Sequence, residues 1–283
     1  MPDPTTGPAD ADSGRPQQAP HAARPNVSRA WDSWSGGKDH YPTDADIAQK
    51  IVAILPNIRE SVRANRRFVL AAPAYLAKEG IRQFLDLGAG LPQPTGANLH
   101  EAAQAVAPAA RVVHVDNDPN AVLRCRAQLI SGPEGRVATL EGDLLQAEEV
   151  LRAPAVADTL DLTRPVAVCL NAVIHFLGDD SDPHAVIGRF MNALPAGSAL
   201  TMTHATADYV PEASARAESV YRAAGMPAVY HRTLQEVAGL VDGLDLIEPG
   251  IVPVERWHAP DTVPEPLPPA TDSLGYALVA RKG

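Results

Sequence analysis

Asp86-Leu-Gly88-Ala-Gly90 ends a buried apolar run, and this turn is the stretch best placed to do chemistry. Glycine tolerates positive φ, so the pair Gly88 and Gly90 lets backbone N–H groups come close to a ligand. In doubly wound α/β sheets, ligands bind beyond the carboxyl ends of the strands, where such turns sit. A second apolar run ends in Asp116-Asn117, and a carboxylate at that place can accept both hydroxyls of a ribose. A third is followed by Glu141-Gly142-Asp143, where Asp143 can accept from the amino group of an adenine. Any one of these acids could be a helix cap, and Asp118 before Pro119 reads as one. Three at successive strand ends, with a glycine turn at the first, point to an adenosine-like ligand. The dinucleotide fingerprint requires a further glycine where Gln93 stands, which counts against NAD.

Two histidines follow later strands: His175 in "NAVIHFL" and His204 in "MTHATAD". Imidazole titrates near neutrality, so either could act as a general base; each could equally satisfy backbone groups at a strand end. The segment "SGGKDHY", residues 35–41, holds Gly36-Gly37-Lys38 but lacks the phosphate-loop spacing and a preceding strand. Asp179-Asp180-Ser181-Asp182 could ligate Mg²⁺, but a polar loop capping the next helix accounts for it, and no metal is expected.

The elements that must position these groups alternate. Strands are expected near 81–87, 111–116, 136–140, 165–171, 198–204, 244–247 and 274–281. Helices are expected near 98–107, 119–130, 146–152, 183–194 and 233–241, with 43–55 and 57–78 before the sheet. Asn98 reads as a helix cap, Thr233 to Glu236 as a capping box, and Asp182-Pro183 as a helix start. This is the pattern of a parallel sheet covered on both faces. The proline-rich stretch 253–272 reads as an irregular loop. Residues 1–24 read as a disordered arm, 25–80 as a helical lid and 81–283 as the ligand-binding core.

The chain has 283 residues and a formal charge of −10, which argues against a general nucleic-acid binder. No run is long and apolar enough for a transmembrane helix, and the start lacks a signal-peptide pattern. Cys125 and Cys169 lie far apart and suit a reducing cytoplasm. The expectation is a cytoplasmic protein, monomer or homodimer, that meets neither membrane nor nucleic acid.

The order DxGxG, an acid ending strand two, then Gly-Asp after strand three resembles class I S-adenosylmethionine-dependent methyltransferases. "PNVSRAWDSWSGGKDHYPTDADIA", "RANRRFVLAAPAYLAKEGIRQFLDLGAGLP", "AVIHFLGDDSDPHAVI" and "THATAD" resemble an actinobacterial subfamily formerly catalogued as a domain of unknown function. The resemblance runs from about Pro25 to Lys282. It implies a Rossmann-like seven-stranded sheet with a reversed final hairpin, and S-adenosylmethionine as cofactor. It further implies that Arg66 clamps the cofactor carboxylate, that Asn171 lies near the cofactor, and that Trp34, Lys38, His40 and Tyr41 belong to a lid over the substrate. Trp34-Ser35 and Asn171 depart from the subfamily's usual wording, which bears on substrate choice. Methyl transfer to a small molecule in specialised metabolism is the expected activity. Two alternatives remain open: a non-methylating reaction that uses the bound sulfonium as a fixed charge, and a non-catalytic cofactor sensor.

Overall fold

The computed structural model describes residues 24–93, 96–262 and 270–283. The arm 1–23, residues 94–95 of the loop after the glycine turn, and residues 263–269 of the proline-rich stretch lie outside them.

Three helices precede the sheet: α1 (Val27–Trp34), α2 (Pro42–Ile54) and α3 (Ile58–Lys78). Then follow β1 (Gln83–Leu87), α4 (Leu99–Val106), β2 (Arg111–Asp116), α5 (Pro119–Gln128) and β3 (Arg136–Glu141). The chain continues through α6 (Ala147–Arg152), α7 (Pro154–Ala157), β4 (Ala167–Asn171), α8 (Pro183–Asn192) and β5 (Ala199–Ala205). It ends with α9 (Pro211–Ala223), α10 (Leu234–Leu240), β6 (Asp245–Leu246), β7 (Val252–Pro253) and β8 (Gly275–Arg281).

The strand order is β3-β2-β1-β4-β5-β8-β6, with β7 also on β8. The first five strands run parallel, and β8 is antiparallel to β5, β6 and β7. This is the expected Rossmann-like sheet with a reversed end, in eight strands rather than seven. The extra strand arises because the sixth strand is divided. Pro249 has no N–H to donate and Gly250 sits at φ +82°, so the ladder stops after β6 and resumes at β7.

Strand sequences such as Phe84-Leu85 and Val112-Val113 are apolar on both faces because helices cover both. One face packs against α3 and α4 through Phe68, Leu76 and Leu99; the other packs against α8 through Val186 and Phe190. Helix α3, which falls in the segment expected to form a lid, places Phe68, Ala72 and Leu76 in the sheet's own core. A separate apolar cluster joins α1 and α2 (Ala30, Trp34, Ile47, Ile51) to Tyr221 of α9. Sequence patterning missed α1 and α9. The first is short, and the second is rich in Ala, Glu and Arg with little apolar stripe. Asn98 joins Glu101 in a capping box, as Thr233 does with Glu236, and Asp182 caps α8 through Ala185 N–H.

Candidate active site

β1 through β4 end on one side of the sheet, and there they open into a cavity of about 470 Å³. Gly88 turns at φ +75°, and a Cβ added there would lie 2.5 Å from the Val173 side chain. Conformation and packing both demand glycine. Its N–H, however, is taken by Val115 O at 2.8 Å, and Gly90 N–H donates to Asp116 Oδ2 at 2.7 Å. The turn therefore leaves these two N–H groups bonded within the protein, and its contribution to the cavity is space. Asp116 also accepts from Asp118 N–H at 2.9 Å, so its carboxylate is fixed by two backbone donors. Burial nonetheless pushes its pKa up, because desolvation outweighs those bonds. Asp143 accepts from Leu145 N–H at 2.9 Å, so it caps a turn while lining the cavity. Asn117 lines it too.

Asp86 lies beside His114 in the parallel register, and its Oδ2 is 2.8 Å from His114 Nδ1. His114 Nε2 in turn lies 3.3 Å from His100 Nδ1, beneath the same cavity. His114 is a site residue beyond those expected from the sequence; its signal is a polar residue two before Asp116, on the same face of β2.

Arg66 is the half-buried member of an arginine-rich helix face. Arg63 and Arg67 turn outward to Glu60, whereas Arg66 lines the cavity. Its Nη2 is buried with no hydrogen-bond partner among the described residues, and desolvation lowers its pKa to about 10 against the opposing pull of Asp86 and Glu101. Asn171 at the end of β4 lines the same cavity, and its Nδ2 is likewise buried and unpartnered among the described residues. Buried donors without acceptors carry a desolvation cost that an anionic or carbonyl-bearing ligand would remove.

A second cavity of about 110 Å³ adjoins the first, and Trp31, Val62, Asn65, Ala172 and Phe176 line both. Ala172 sits at φ +57°, a left-handed conformation unusual for a residue with a Cβ. Its N–H is held by Thr203 Oγ1 at 2.8 Å, and Thr203 donates to Asn65 Oδ1 at 2.6 Å. His175 and His204 both face this smaller cavity. His204 has no free nitrogen: Nδ1 lies 2.8 Å from Ala205 O, and Nε2 accepts from Arg232 Nη1 at 3.1 Å. Desolvation, with Arg232 and His231 adding to it, pushes its pKa down to about 4. His175 is held well below the ordinary range by burial and by His204, His231 and Arg232. His204 is thus a satisfied core histidine, not a poised base. Arg232, which bonds it, also takes Leu177 O and Asp179, which gives the acidic run a structural use.

The buried neutral His204 makes stability depend on pH. Its folded pKa lies below the unfolded value of 6.5, so its contribution is complete above 6.5 and is lost as pH falls toward 4. The loss is on the order of 3 kcal/mol over that window. Urea melts at pH 7 and pH 5 should show a smaller difference in His204→Gln than in the wild type. Equal differences would contradict a neutral, buried His204.

The residues expected in a lid divide. Trp34 is buried in the cluster that joins α1 and α2 to α9, lines the smaller cavity, and donates Nε1 to Ala48 O at 3.1 Å. Lys38, His40 and Tyr41 line neither cavity. Lys38 is exposed, His40 Nδ1 lies 2.8 Å from Asp32 Oδ2, and Tyr41 lies over Arg29 at the start of α2. The two glycines explain this: Gly36 turns at φ +80°, and Gly37 lies where any Cβ would strike Asp32. The loop wraps Asp32 rather than presenting its side chains to the cavities. The roof of the larger cavity comes instead from the α1 cap Asn26 and from Ser28, Trp31 and Asp32 of α1.

Sheet order, glycine turn and strand-end acids define a class I S-adenosylmethionine-dependent methyltransferase. The S-adenosyl methyltransferase family profile matches residues 14–283, and the chain belongs to that family. It is similar to a DUF574 family protein from Streptomyces avermitilis, with 42% identity over 93% of this chain and 99% of that one, and a TM-score of 0.85. A Thermobifida fusca protein provisionally assigned as a methyltransferase shares 34% identity over 92% and 96% of the two chains, with a TM-score of 0.82. The plantazolicin methyltransferase BpumL, solved with S-adenosylhomocysteine, shares the fold at 14% identity and a TM-score of 0.53, over 91% and 96% of the chains. No curated protein sequence matches the chain. The cofactor is S-adenosylmethionine, and the unpartnered donors Arg66 and Asn171 suit its carboxylate and polar edge.

Proposed function

We propose that this enzyme transfers a methyl group to a small molecule in specialised metabolism, with the cofactor in the larger cavity and the acceptor in the smaller. The observation that carries this reading is the unpartnered Arg66 Nη2 in a cavity that shares walls with a second, mostly apolar one. S-adenosylmethionine, when bound, supplies an electrophilic methyl group on a sulfonium. Arg66 would hold its carboxylate, a pairing that guanidinium geometry favours. Asp116, fixed by Gly90 and Asp118, would accept from the ribose, and the free oxygen of Asp143 from the adenine. Gly88 leaves space where any side chain would intrude. Trp31, Val62 and Phe176 at the junction would exclude water, so alignment and desolvation supply much of the acceleration.

Helices α1 and α2 would act as the lid, with the remaining chain as core. Size supports a small acceptor, since 110 Å³ admits only a group of about one ring. The resemblance to an actinobacterial subfamily supports specialised metabolism. Two free buried cysteines support a cytoplasmic location, and among the described residues no helix is long and apolar enough to cross a membrane. Incubation with methyl-labelled S-adenosylmethionine and a panel of small acceptors tests the reading. Label in the acceptor with matching S-adenosylhomocysteine release is expected; product formed without S-adenosylhomocysteine would replace methyl transfer with a non-methylating reaction.

A further inference from the structure

The smaller cavity has a specific chemical character. At about 110 Å³ it is smaller than the roughly 150 Å³ cavity known to admit benzene, so its enclosed part has room for no more than about one ring. Its walls combine apolar side chains such as Trp31, Trp34, Ile51 and Leu55 with uncharged polar ones such as Asn65, Thr203 and Ser214, and no Lys or Arg lines it among the described residues. Glu218 of α9 is the one carboxylate there, and it is already paired with Arg222. A carboxylate or phosphate on the acceptor would find no countercharge. An anionic acceptor is therefore disfavoured by desolvation.

His231 also lines this cavity. Its neighbours on both sides are strapped to the sheet edge: Tyr230 N–H donates to His175 O at 2.8 Å, and Arg232 N–H to Ala205 O at 3.2 Å. The ring nitrogens of His231 have no hydrogen-bond partner among the described residues, unlike those of His204. The titratable groups lining the cavity around it are Glu218 and Tyr221 from α9, His175 after β4, His204 on β5 and Tyr276 on β8. Burial lowers the His231 pKa and Glu218 opposes that, so the ring is neutral at pH 7 with a carboxylate nearby to stabilise its cation.

We infer that the smaller cavity takes an uncharged, single-ring acceptor bearing a hydroxyl, and that His231 is the base that receives its proton. The inference rests on the methyl-transfer reading above. In the step, an oxygen lone pair forms the O–CH₃ bond and the C–S bonding pair passes to sulfur, leaving a neutral thioether. The hydroxyl proton goes to the imidazole, which becomes imidazolium near Glu218.

Calorimetry on the full chain tests this, with S-adenosylhomocysteine as cofactor probe and phenol and benzoate as acceptor probes. The wild type loaded with S-adenosylhomocysteine should bind phenol saturably and benzoate at least tenfold more weakly. Phenol affinity should fall as the pH is lowered beneath the ordinary histidine range, where the depressed His231 pKa is reached, because a protonated His231 no longer accepts the hydroxyl proton. His231→Leu should bind phenol about tenfold more weakly with unchanged S-adenosylhomocysteine affinity. His231→Gln, which keeps an acceptor that does not titrate, should retain most phenol affinity and lose its pH dependence. Phenol binding that is untouched in His231→Leu, independent of pH in the wild type, or no tighter than benzoate overturns the inference alone. Failure of the wild type to bind S-adenosylhomocysteine overturns the methyl-transfer reading and the base assignment with it.

Discussion

Arg66→Ala should weaken S-adenosylhomocysteine binding by about 2–5 kcal/mol, roughly thirty- to several-thousand-fold, while leaving the ligand-free protein as stable as the wild type. The two halves of this expectation have one cause. In the ligand-free protein, Arg66 Nη2 is buried without a partner, and burial has already lowered the guanidinium pKa to about 10. Removing the side chain removes that desolvation cost along with some packing, so the net change is small. With ligand present, a carboxylate would supply the missing partner, and its loss leaves the ligand's charge unpaired. Thermal melts with and without S-adenosylhomocysteine separate the two. The wild type should show a concentration-dependent rise in midpoint that Arg66→Ala lacks. A variant that melts far below the ligand-free wild type would mean that Arg66 is a structural residue.

The second large effect concerns the proposed lid. Asp44 on α2 is fully buried and accepts from Asn26 N–H at 2.8 Å, Arg29 Nε at 2.6 Å and Tyr41 N–H at 2.9 Å. It ties α1 to α2. Asp44→Ala leaves the Arg29 guanidinium buried without its main counterion, a change worth about 3–5 kcal/mol. That exceeds what weaker seating contacts can restore: Asn26 Nδ2 to Asp118 at 3.0 Å, and the part-exposed pair Arg124–Asp39 at 3.2 Å. The expected result is loss of amide-exchange protection across residues 26–41 with the strands still protected, and weaker S-adenosylhomocysteine binding because one wall has gone. An equal drop in protection throughout the sheet would show that α1 and α2 unfold with the core and are no lid.

The sheet was legible in the sequence because its signals are local and redundant. Apolar runs such as "FLDL" and "VVHVD" end in acids and glycines, and each following helix begins with a recognisable cap at Asn98, Asp118 or Asp182. The cavity-lining residues Asp86, Asp116, Asp143 and Gly88 follow from strand ends alone. What lay beyond reach depends on contacts between distant segments. Nothing in "SGGKDHY" reveals that Gly37 packs on Asp32 and turns Lys38, His40 and Tyr41 away from the cavities. His204 carries no mark of Arg232, 28 residues later, which occupies its Nε2. His231 and Glu218 belong to segments with no strand-end signature, and the fold alone brings them to the smaller cavity. Arg66 shows the boundary well: helical spacing puts Arg63 and Arg67 beside it, and only packing shows that one of the three turns inward.

The most direct test is a crystal structure of the full chain with S-adenosylhomocysteine. The homocysteine carboxylate should meet the Arg66 guanidinium, the ribose hydroxyls should reach Asp116, and the sulfur should face the opening lined by Trp31, Ala172 and Phe176. A ligand whose carboxylate lies away from Arg66, or whose sulfur faces away from the smaller cavity, would contradict this assignment of the two cavities.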